Sequence, residues 1–198
     1  MASRWLTLVA LLPLAVAMRC ASEDSGGGVS PDGVDVTVEA DATIRNDFPA
    51  NNYGGFTDLS IERDDDSVKD FLIRFSVSGV GDRRIEKASL QIHAFHNASF
   101  GGNFHVTGND WVEDQVNWMN APPAGELLGS LGRVREGQTY SVDVTRVVTG
   151  DGTYSLRVAS ESTERAGFLS REGRRGRPRL SITLAGAATA SGGEAPSD

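Results

Sequence analysis

The stretch DFLIRFSV, residues 70–77, decides the fold class of this chain. Phe71, Ile73, Phe75 and Val77 occupy every second position within it. Side chains two residues apart lie on the same face of an extended chain. The pattern therefore predicts a β-strand with one face in an apolar core and the other turned outward.

Similar alternation recurs on both sides of this stretch, and Gly, Asn and Asp separate the segments. The further segments are Val34–Val38, Thr57–Arg63, Ala88–His96, Phe104–Val106, Tyr140–Val144, Tyr154–Val158 and Arg179–Leu184. No run of helical length shows apolar residues at three-and-four spacing. About eight such segments predict an all-β protein, a two-sheet β-sandwich with jelly-roll-like topology in one domain.

The two ends of the chain differ in composition from this domain. Residues 1–19 resemble an export signal, because Arg4 precedes an apolar run that ends in the small-x-small sequence of residues 15–17. Residues 20–33 predict a flexible tether, and residues 185–198, rich in Ala, Gly and Ser, predict a disordered tail. The β-sandwich is expected over residues 34–184. Export predicts that the protein is secreted or anchored at the outer cell surface.

Cys20 is the only cysteine, so no internal disulfide can form. Its position after the apolar run is typical of the lipidated cysteine of a bacterial lipoprotein, and such an anchor is the only membrane attachment that we expect. Arg19 departs from the small residue that usually precedes this cysteine. Lipidation and free secretion therefore both remain open.

The formal net charge of the chain is −8. Because nucleic acids are bound by basic surfaces, this charge argues against a nucleic-acid partner. Basic residues are nevertheless concentrated near the C-terminus, where six arginines fall within residues 165–179. This stretch is the part of the chain best suited to an anionic partner.

The segment NDWVEDQVNWMNAPP, residues 109–123, is predicted to be a loop that carries two tryptophans. Trp111 and Trp118 either stack on sugar rings or pack the end of the sandwich, and packing is the favoured alternative. The same alternatives apply to Tyr53. Glu113 and Asn120 are expected to hold the loop through hydrogen bonds to backbone amides, next to the turn at Pro122.

Four pieces of the sequence together resemble the disaggregatase-related repeat domain, also classed as carbohydrate-binding module family 96. The pieces are residues 40–45 with Asn51-Asn52-Tyr53-Gly54-Gly55, the strand at 71–79 leading into 85–94, the loop with Trp111, Glu113, Trp118, Asn120 and Pro122, and Phe168-Leu169-Ser170-Arg171-Glu172. The resemblance implies a β-sandwich that accompanies polysaccharide-degrading enzymes or sits on bacterial surface proteins. Some members of the family bind acidic polysaccharides such as alginate.

Several arginines are candidate ligand-binding residues. Arg45, Arg63, Arg74 and Arg157 alternate with core positions on predicted strands, so they either form a basic platform for an anionic glycan or are ordinary solvated positions. Arg171 and Glu172 are either a ligand-binding pair, in which Arg171 grips a uronate carboxylate, or an ion pair that holds the loop before the last strand.

The sequence predicts no catalytic residues and no cofactor. The three histidines show no metal-binding spacing, and no nucleophile elbow or phosphate loop is present. A structural calcium ion has candidate ligands but no recognisable calcium loop. These candidates are Asp41, Asp64, Asp65, Asp66, Asp82 and Asp151.

These observations favour a non-catalytic, extracellular polysaccharide-binding module, with acidic glycans such as alginate as the expected ligands. The alternative is a structural or adhesive cell-surface domain that binds protein or matrix. A glycan binder should present a row of aromatic or arginine side chains across one sheet face. A structural domain should bury Trp111, Trp118 and Tyr53 instead.

Overall fold

The computed structural model describes residues 33–185, and these form ten β-strands joined by turns and loops. The strands are β1 (Gly33–Arg45), β2 (Asp58–Arg63), β3 (Val68–Val77), β4 (Ile85–His93), β5 (Gly102–Thr107), β6 (Leu127–Leu131), β7 (Thr139–Asp143), β8 (Gly152–Ala159), β9 (Ala166–Leu169) and β10 (Arg179–Leu184). The described residues contain no helix that is long and apolar enough to cross a membrane. The predicted all-β class is confirmed.

The long first strand joins the two halves of the sheet. Residues 33–37 of β1 pair with β10, and residues 38–45 pair with β3, with a register shift between Val38 and Ala40. A bulge at such a position bends the strand, so one strand serves both halves. The main path of the sheet runs β6-β5-β8-β3-β1-β10-β4-β7.

Strands β2 and β9 nearly close the sheet into a barrel. β2 pairs with β3 and, on its other side, with β9. Phe168 of β9 forms a bridge with Ala94, which follows β4, and the Phe95 N–H donates to the Gly167 carbonyl at 3.0 Å. The result is a nearly closed, barrel-like sheet. The more specific prediction of a two-sheet jelly-roll sandwich is not confirmed, because β1 belongs to both halves.

The main apolar core lies inside this curved sheet. Phe71, Phe75, Phe104 and Phe168 are fully buried there. The rings of Phe71 and Phe168 lie 5.9 Å apart at 61°, in the edge-to-face arrangement that aromatic pairs favour. The alternation in residues 70–77 therefore gave the correct inward face for β3.

A second apolar cluster lies on the opposite face of β1 and β3. Ala42, Ile44 and Leu72 pack there against Trp111 and Val116 of the loop at 109–123. This loop, residues 109–123, is called the tryptophan loop, and it covers the outer side of the sheet. This explains why Leu72 is apolar at an outward-facing position.

Sequence alternation located most strands but missed three parts of the sheet. The second half of β1, strand β6 and strand β9 were not predicted. Glycines interrupt the alternation in β6 and β9, at Gly129 and Gly167. The predicted signal and Cys20 lie outside the described residues, as do the tether and the tail except for Gly33 and Ala185, so these predictions remain untested.

Candidate functional site

An open cleft of about 470 Å³ lies on the outer face of the sheet half formed by β1, β10, β4 and β7. Thr37, Arg179 and Gln91 lie side by side in the register of three adjacent strands. Leu180 and Leu90, one position away, point into the core. Because side chains alternate along a strand, this row of polar groups faces the cleft.

His93 and Thr139 extend the polar floor where β4 meets β7. They are register partners, and the His93 Nδ1 lies 3.1 Å from the Thr139 Oγ1. Amide, hydroxyl and imidazole groups both donate and accept hydrogen bonds. The floor therefore offers several directional partners for a ligand rich in hydroxyl groups.

The segment between β9 and β10 forms the rim of the cleft. It contributes Arg174, Arg175 and Arg177. Together with Arg179 these place four exposed arginines around the cleft, which is therefore called the arginine cleft. None of the four forms an ion pair within residues 33–185. The cleft lining contains no Asp or Glu. On a chain of net charge −8, this cleft is a local concentration of uncompensated positive charge.

Gly176 fixes the rim against the sheet. Its φ is +64°, a conformation that favours glycine. A Cβ at this position would lie 2.7 Å from Leu169 Cδ1 and 3.1 Å from His93 Cβ. The absent side chain therefore allows the arginine segment to lie directly on β4.

A network of charged groups holds the first residues of the same segment. The Arg171 Nε and Nη2 donate to Glu113 Oε1 and Oε2 at 2.7 and 2.6 Å. The Arg171 backbone N–H donates to Asp41 Oδ2 at 2.8 Å, and Glu172 Oε1 lies 3.0 Å from the Arg171 Nε. Arg171, Glu172 and Glu113 thus join the tryptophan loop, β1 and the rim.

Burial makes the Asp41 carboxyl group of this network an unusually weak acid. Its side chain is fully buried, and that burial raises the pKa of Asp41 to about 8, with smaller contributions from Glu172 and Glu113 in the same direction. Loss of solvent disfavours a charged carboxylate, and neighbouring negative charges add to the effect. The network contains three carboxylates and one guanidinium.

The other arginines singled out in the sequence are paired or packed. Arg45 forms an ion pair with Asp47 and lies over the rings of Phe48 and Tyr53. Arg63 donates through Nε to the Ser160 carbonyl at 2.7 Å.

Arg74 and Arg157 lie beneath the tryptophan loop. Arg74 donates to the Trp111 carbonyl at 2.6 Å, and its guanidinium lies 4.8 Å from the Trp111 ring. Arg157 pairs with the buried Asp70 at 2.6 Å and lies 5.3 Å from the Trp118 ring. Arg45 is on the opposite face of the sheet from these two, as the pairing of β1 with β3 requires. The structure therefore does not align the four strand arginines as one platform.

The tryptophans pack against the sheet to different extents. Trp111 is 5% exposed, and its Nε1–H donates to the Ser155 Oγ at 3.1 Å. Trp118 is half-buried against the second apolar cluster. Trp111 has little surface left for a sugar, which agrees with the packing alternative, whereas ligand binding by Trp118 stays a prediction.

The motif residues of the tryptophan loop form hydrogen bonds within the loop and to the neighbouring strands. The Asn120 Oδ1 accepts from the Asn117 N–H at 2.8 Å, and the Pro122 carbonyl accepts from Arg157 Nη1 at 3.0 Å. Glu113 Oε1 accepts from the Asp41 N–H at 2.7 Å. Glu113 and Asn120 therefore make the backbone contacts expected of them.

Tyr53 lies in a smaller cleft of about 240 Å³, together with Phe56 and Arg165. Its ring is half-buried and 5.4 Å from that of Phe56, which is 53% exposed. Arg165 is paired with Asp58 there. A ligand-binding role for Tyr53 stays a prediction.

Most of the calcium candidates lie apart from any carboxylate cluster. Asp64, Asp65, Asp66 and Asp82 are exposed, and Asp151 accepts from the Val80 N–H at 2.8 Å. Within residues 33–185, the carboxylate cluster that could hold a metal is formed by Asp41, Glu113 and Glu172. Asp41 is therefore the one sequence candidate that lies in such a cluster.

Sequence reasoning missed most of the arginine cleft. The concentration of arginines in residues 165–179 was noted, but only Arg171 was selected as a site residue, and Arg171 is held by Glu113. Arg174, Arg175, Arg177 and Arg179 are the ones that face the cleft. The local concentration of positive charge was the sequence signal that could have indicated these arginines. The floor residues Thr37 and Gln91 could be identified only once the strand register was known.

Comparison with known proteins identifies the family. Residues 33–184 match the family model described as carbohydrate-binding module family 96. No curated protein matches the chain significantly.

Proposed function

Because the chain belongs to carbohydrate-binding module family 96, we propose that it binds an acidic polysaccharide through the arginine cleft, without catalysis. The expected ligand class is a uronate polymer such as alginate. The resemblance to this family in the sequence is confirmed, whereas the description as a disaggregatase-related repeat stays a prediction.

The observation that carries the proposal is a set of four exposed arginines, without ion pairs among residues 33–185, around a cleft without carboxylates. A guanidinium forms two parallel hydrogen bonds with a carboxylate, and charge-assisted pairs of this kind are about twice as strong as neutral ones. Uronate residues carry one carboxylate each. Several arginines in one cleft can therefore contact successive residues of an acidic chain.

The floor of the cleft supports sugar recognition rather than binding of a small anion alone. Gln91, His93, Thr37 and Thr139 supply donors and acceptors for ring hydroxyls. The cleft is open, so a polymer chain can lie along it. Hydrogen bonds from the floor and ion pairs from the rim would then act on the same residues of the glycan.

The same cleft supports binding without hydrolysis. Glycoside hydrolysis uses a pair of carboxyl groups on either side of the scissile bond. The residues that line the arginine cleft include neither Asp nor Glu. The module would thus attach to a polysaccharide and leave its bonds intact.

We further propose that the domain acts outside the cell, where such polysaccharides occur. The support is the export-like sequence of residues 1–19. Cellular fractionation of a tagged full-length chain tests this part of the proposal separately. Retention of the full-length protein in the cytoplasm would contradict it.

Affinity electrophoresis of the full chain through gels with alginate, pectin or a neutral glucan tests the function. We expect retardation in the acidic gels that sodium chloride relieves, because exposed ion pairs are screened by salt. The double variant Arg174→Gln/Arg175→Gln should migrate faster than the wild type in alginate. Arg83→Gln/Arg84→Gln removes the same charge before β4, at the opposite end of that strand from His93, and is the matched control.

Two outcomes would overturn the proposed site. Equal retardation of wild type and the Arg174/Arg175 variant would place binding elsewhere. Free migration of the wild type in all gels would favour the alternative of a structural or adhesive surface domain.

A further inference from the structure

The network around Arg171 leaves two carboxylate oxygens without a hydrogen-bond partner in the part of the chain that the structure describes. Carboxylate oxygens of Asp41, Glu113 and Glu172 lie within 4.8 Å of one another. Asp41 comes from β1, Glu113 from the tryptophan loop and Glu172 from the segment between β9 and β10. Three separate parts of the chain therefore bring acidic groups to one point.

The hydrogen bonds of the network can be assigned atom by atom. Both oxygens of Glu113 have partners, because Oε1 accepts from the Asp41 N–H and the Arg171 Nε, and Oε2 accepts from the Arg171 Nη2. Asp41 Oδ2 accepts from the Arg171 backbone N–H. Asp41 Oδ1 and Glu172 Oε2 are both buried and have no hydrogen-bond partner among residues 33–185.

Such unpartnered oxygens are costly inside a protein. A buried polar atom without a partner loses its interactions with water and gains nothing in return, and the penalty is larger for a charged group. Asp41 is fully buried. One guanidinium balances one of the three carboxylates, so two negative charges remain when all three are ionised.

We propose that Asp41 Oδ1 and Glu172 Oε2, with Glu113 beside them, bind a calcium ion. A divalent cation would supply the missing partner for both oxygens and balance the two remaining charges.

The donor set favours calcium over other metals. All three side chains offer oxygen, and the cluster contains no His or Cys, so the site suits a hard cation rather than zinc or copper. Calcium accepts an irregular set of oxygen ligands and completes its shell with water or carbonyl groups. Magnesium demands near-octahedral geometry and gives up its own water reluctantly, so it should bind more weakly here.

A bound ion would act on the architecture rather than on a reaction. It would tie β1 directly to Glu172, next to the residue that already pairs with the tryptophan loop. The segment from Ser170 to Pro178, which carries three of the four cleft arginines, begins at this point. Calcium would therefore stabilise the base of that segment.

Calcium binding to the full chain, after removal of metals with a chelator, tests the proposal. We expect isothermal titration to show one calcium per chain at micromolar to millimolar affinity, and thermal unfolding to shift upward with added calcium. Magnesium chloride at the same concentration should give a smaller shift. Glycan is absent from this experiment, so its result is independent of the proposed function.

The variant Glu172→Gln provides the decisive comparison, because it keeps the shape of the side chain and removes one ligand charge. It should lose most of the calcium-dependent shift while keeping the β-sheet circular dichroism spectrum. Asp65→Asn, at an exposed turn between β2 and β3, is the control and should respond as the wild type does.

Three results would overturn the calcium site. They are the absence of calcium binding by the folded wild type, equal calcium binding by Glu172→Gln, and an equal response to magnesium and calcium.

Discussion

Arg171 forms a bidentate ion pair with Glu113, 58 residues away in the sequence, in which Nε and Nη2 donate to the two carboxylate oxygens at 2.7 and 2.6 Å. The pair links the tryptophan loop to the segment that carries the arginine cleft. Because Glu113 also accepts from the Asp41 backbone, the same carboxylate fixes β1. One side chain therefore connects three separate parts of the chain.

Glu113→Gln should lower the free energy of unfolding by about 1–3 kcal/mol, because charge-assisted hydrogen bonds to the carboxylate are lost. Urea denaturation followed by tryptophan fluorescence measures the change. Arg84→Gln removes an exposed ion pair and should shift the midpoint little. Equal midpoints for wild type and Glu113→Gln would mean that the network contributes nothing to stability.

Trp111→Ala should destabilise the fold by about 3–5 kcal/mol, because the indole is buried and its removal leaves a cavity. Met119→Ala in the same loop is the comparison, since Met119 is 75% exposed and should be nearly neutral. Chemical denaturation of both variants checks the difference. A Trp111→Ala protein of wild-type stability would contradict the packing role of this indole.

Gly176→Ala should weaken retention by alginate several-fold and leave the bulk of the sheet intact. An added methyl group would collide with Leu169 and His93, so the arginine rim must move away from β4. Gly137→Ala is the matched control, because Gly137 also has a positive φ, of 77°, but has open space at the Cβ position. Affinity electrophoresis and circular dichroism of both variants separate displacement of the rim from general strain. Equal retention by the two variants would indicate that the rim position is unimportant.

Stability should fall at low pH partly through Asp143. The Thr145 hydroxyl and, to a smaller extent, its backbone N–H hold the pKa of Asp143 below its usual value. A carboxylate with a lowered pKa stabilises the fold above the unfolded pKa of about 3.9, and this contribution is lost as pH falls through the folded pKa. As the pH falls from about 5 to about 2, Asp143→Asn should therefore lose less stability than the wild type.

Denaturant titrations at a series of pH values measure this dependence. Asp66→Asn, at an exposed turn, is the control and should follow the wild-type curve. An identical pH dependence for Asp143→Asn and the wild type would show that the contact with Thr145 makes no contribution.

Alternation in the sequence was sufficient to predict the all-β class and most of the strands. Strand β3 was predicted because its inward positions are large and apolar without interruption. The near closure of the sheet was not predictable, because it depends on β9, whose four residues include a glycine and contain no clear alternation. The pairing of β1 with both β10 and β3 was also not predicted, because Asp41 and Thr43 are polar residues at buried positions and hide the second half of the strand.

The candidate site was harder to predict than the fold. Charge density pointed to residues 165–179, but spacing could not separate Arg171, which is paired, from Arg175, which is exposed. That distinction depends on Glu113, far away in the sequence. Likewise, strand periodicity gave Arg74 an outward direction, but the tryptophan loop that covers this face is a tertiary feature.

The pairing of the first and last strands also fixes where the described domain connects to the rest of the chain. Gly33 lies opposite Thr183, so the chain enters and leaves at the same end of the β1–β10 pair. Thr37 and Arg179, at the arginine cleft, form the last pair at the other end, about 13 Å away at the usual rise of a strand. Both connections to the described domain therefore lie at the end of this strand pair that is farther from the arginine cleft.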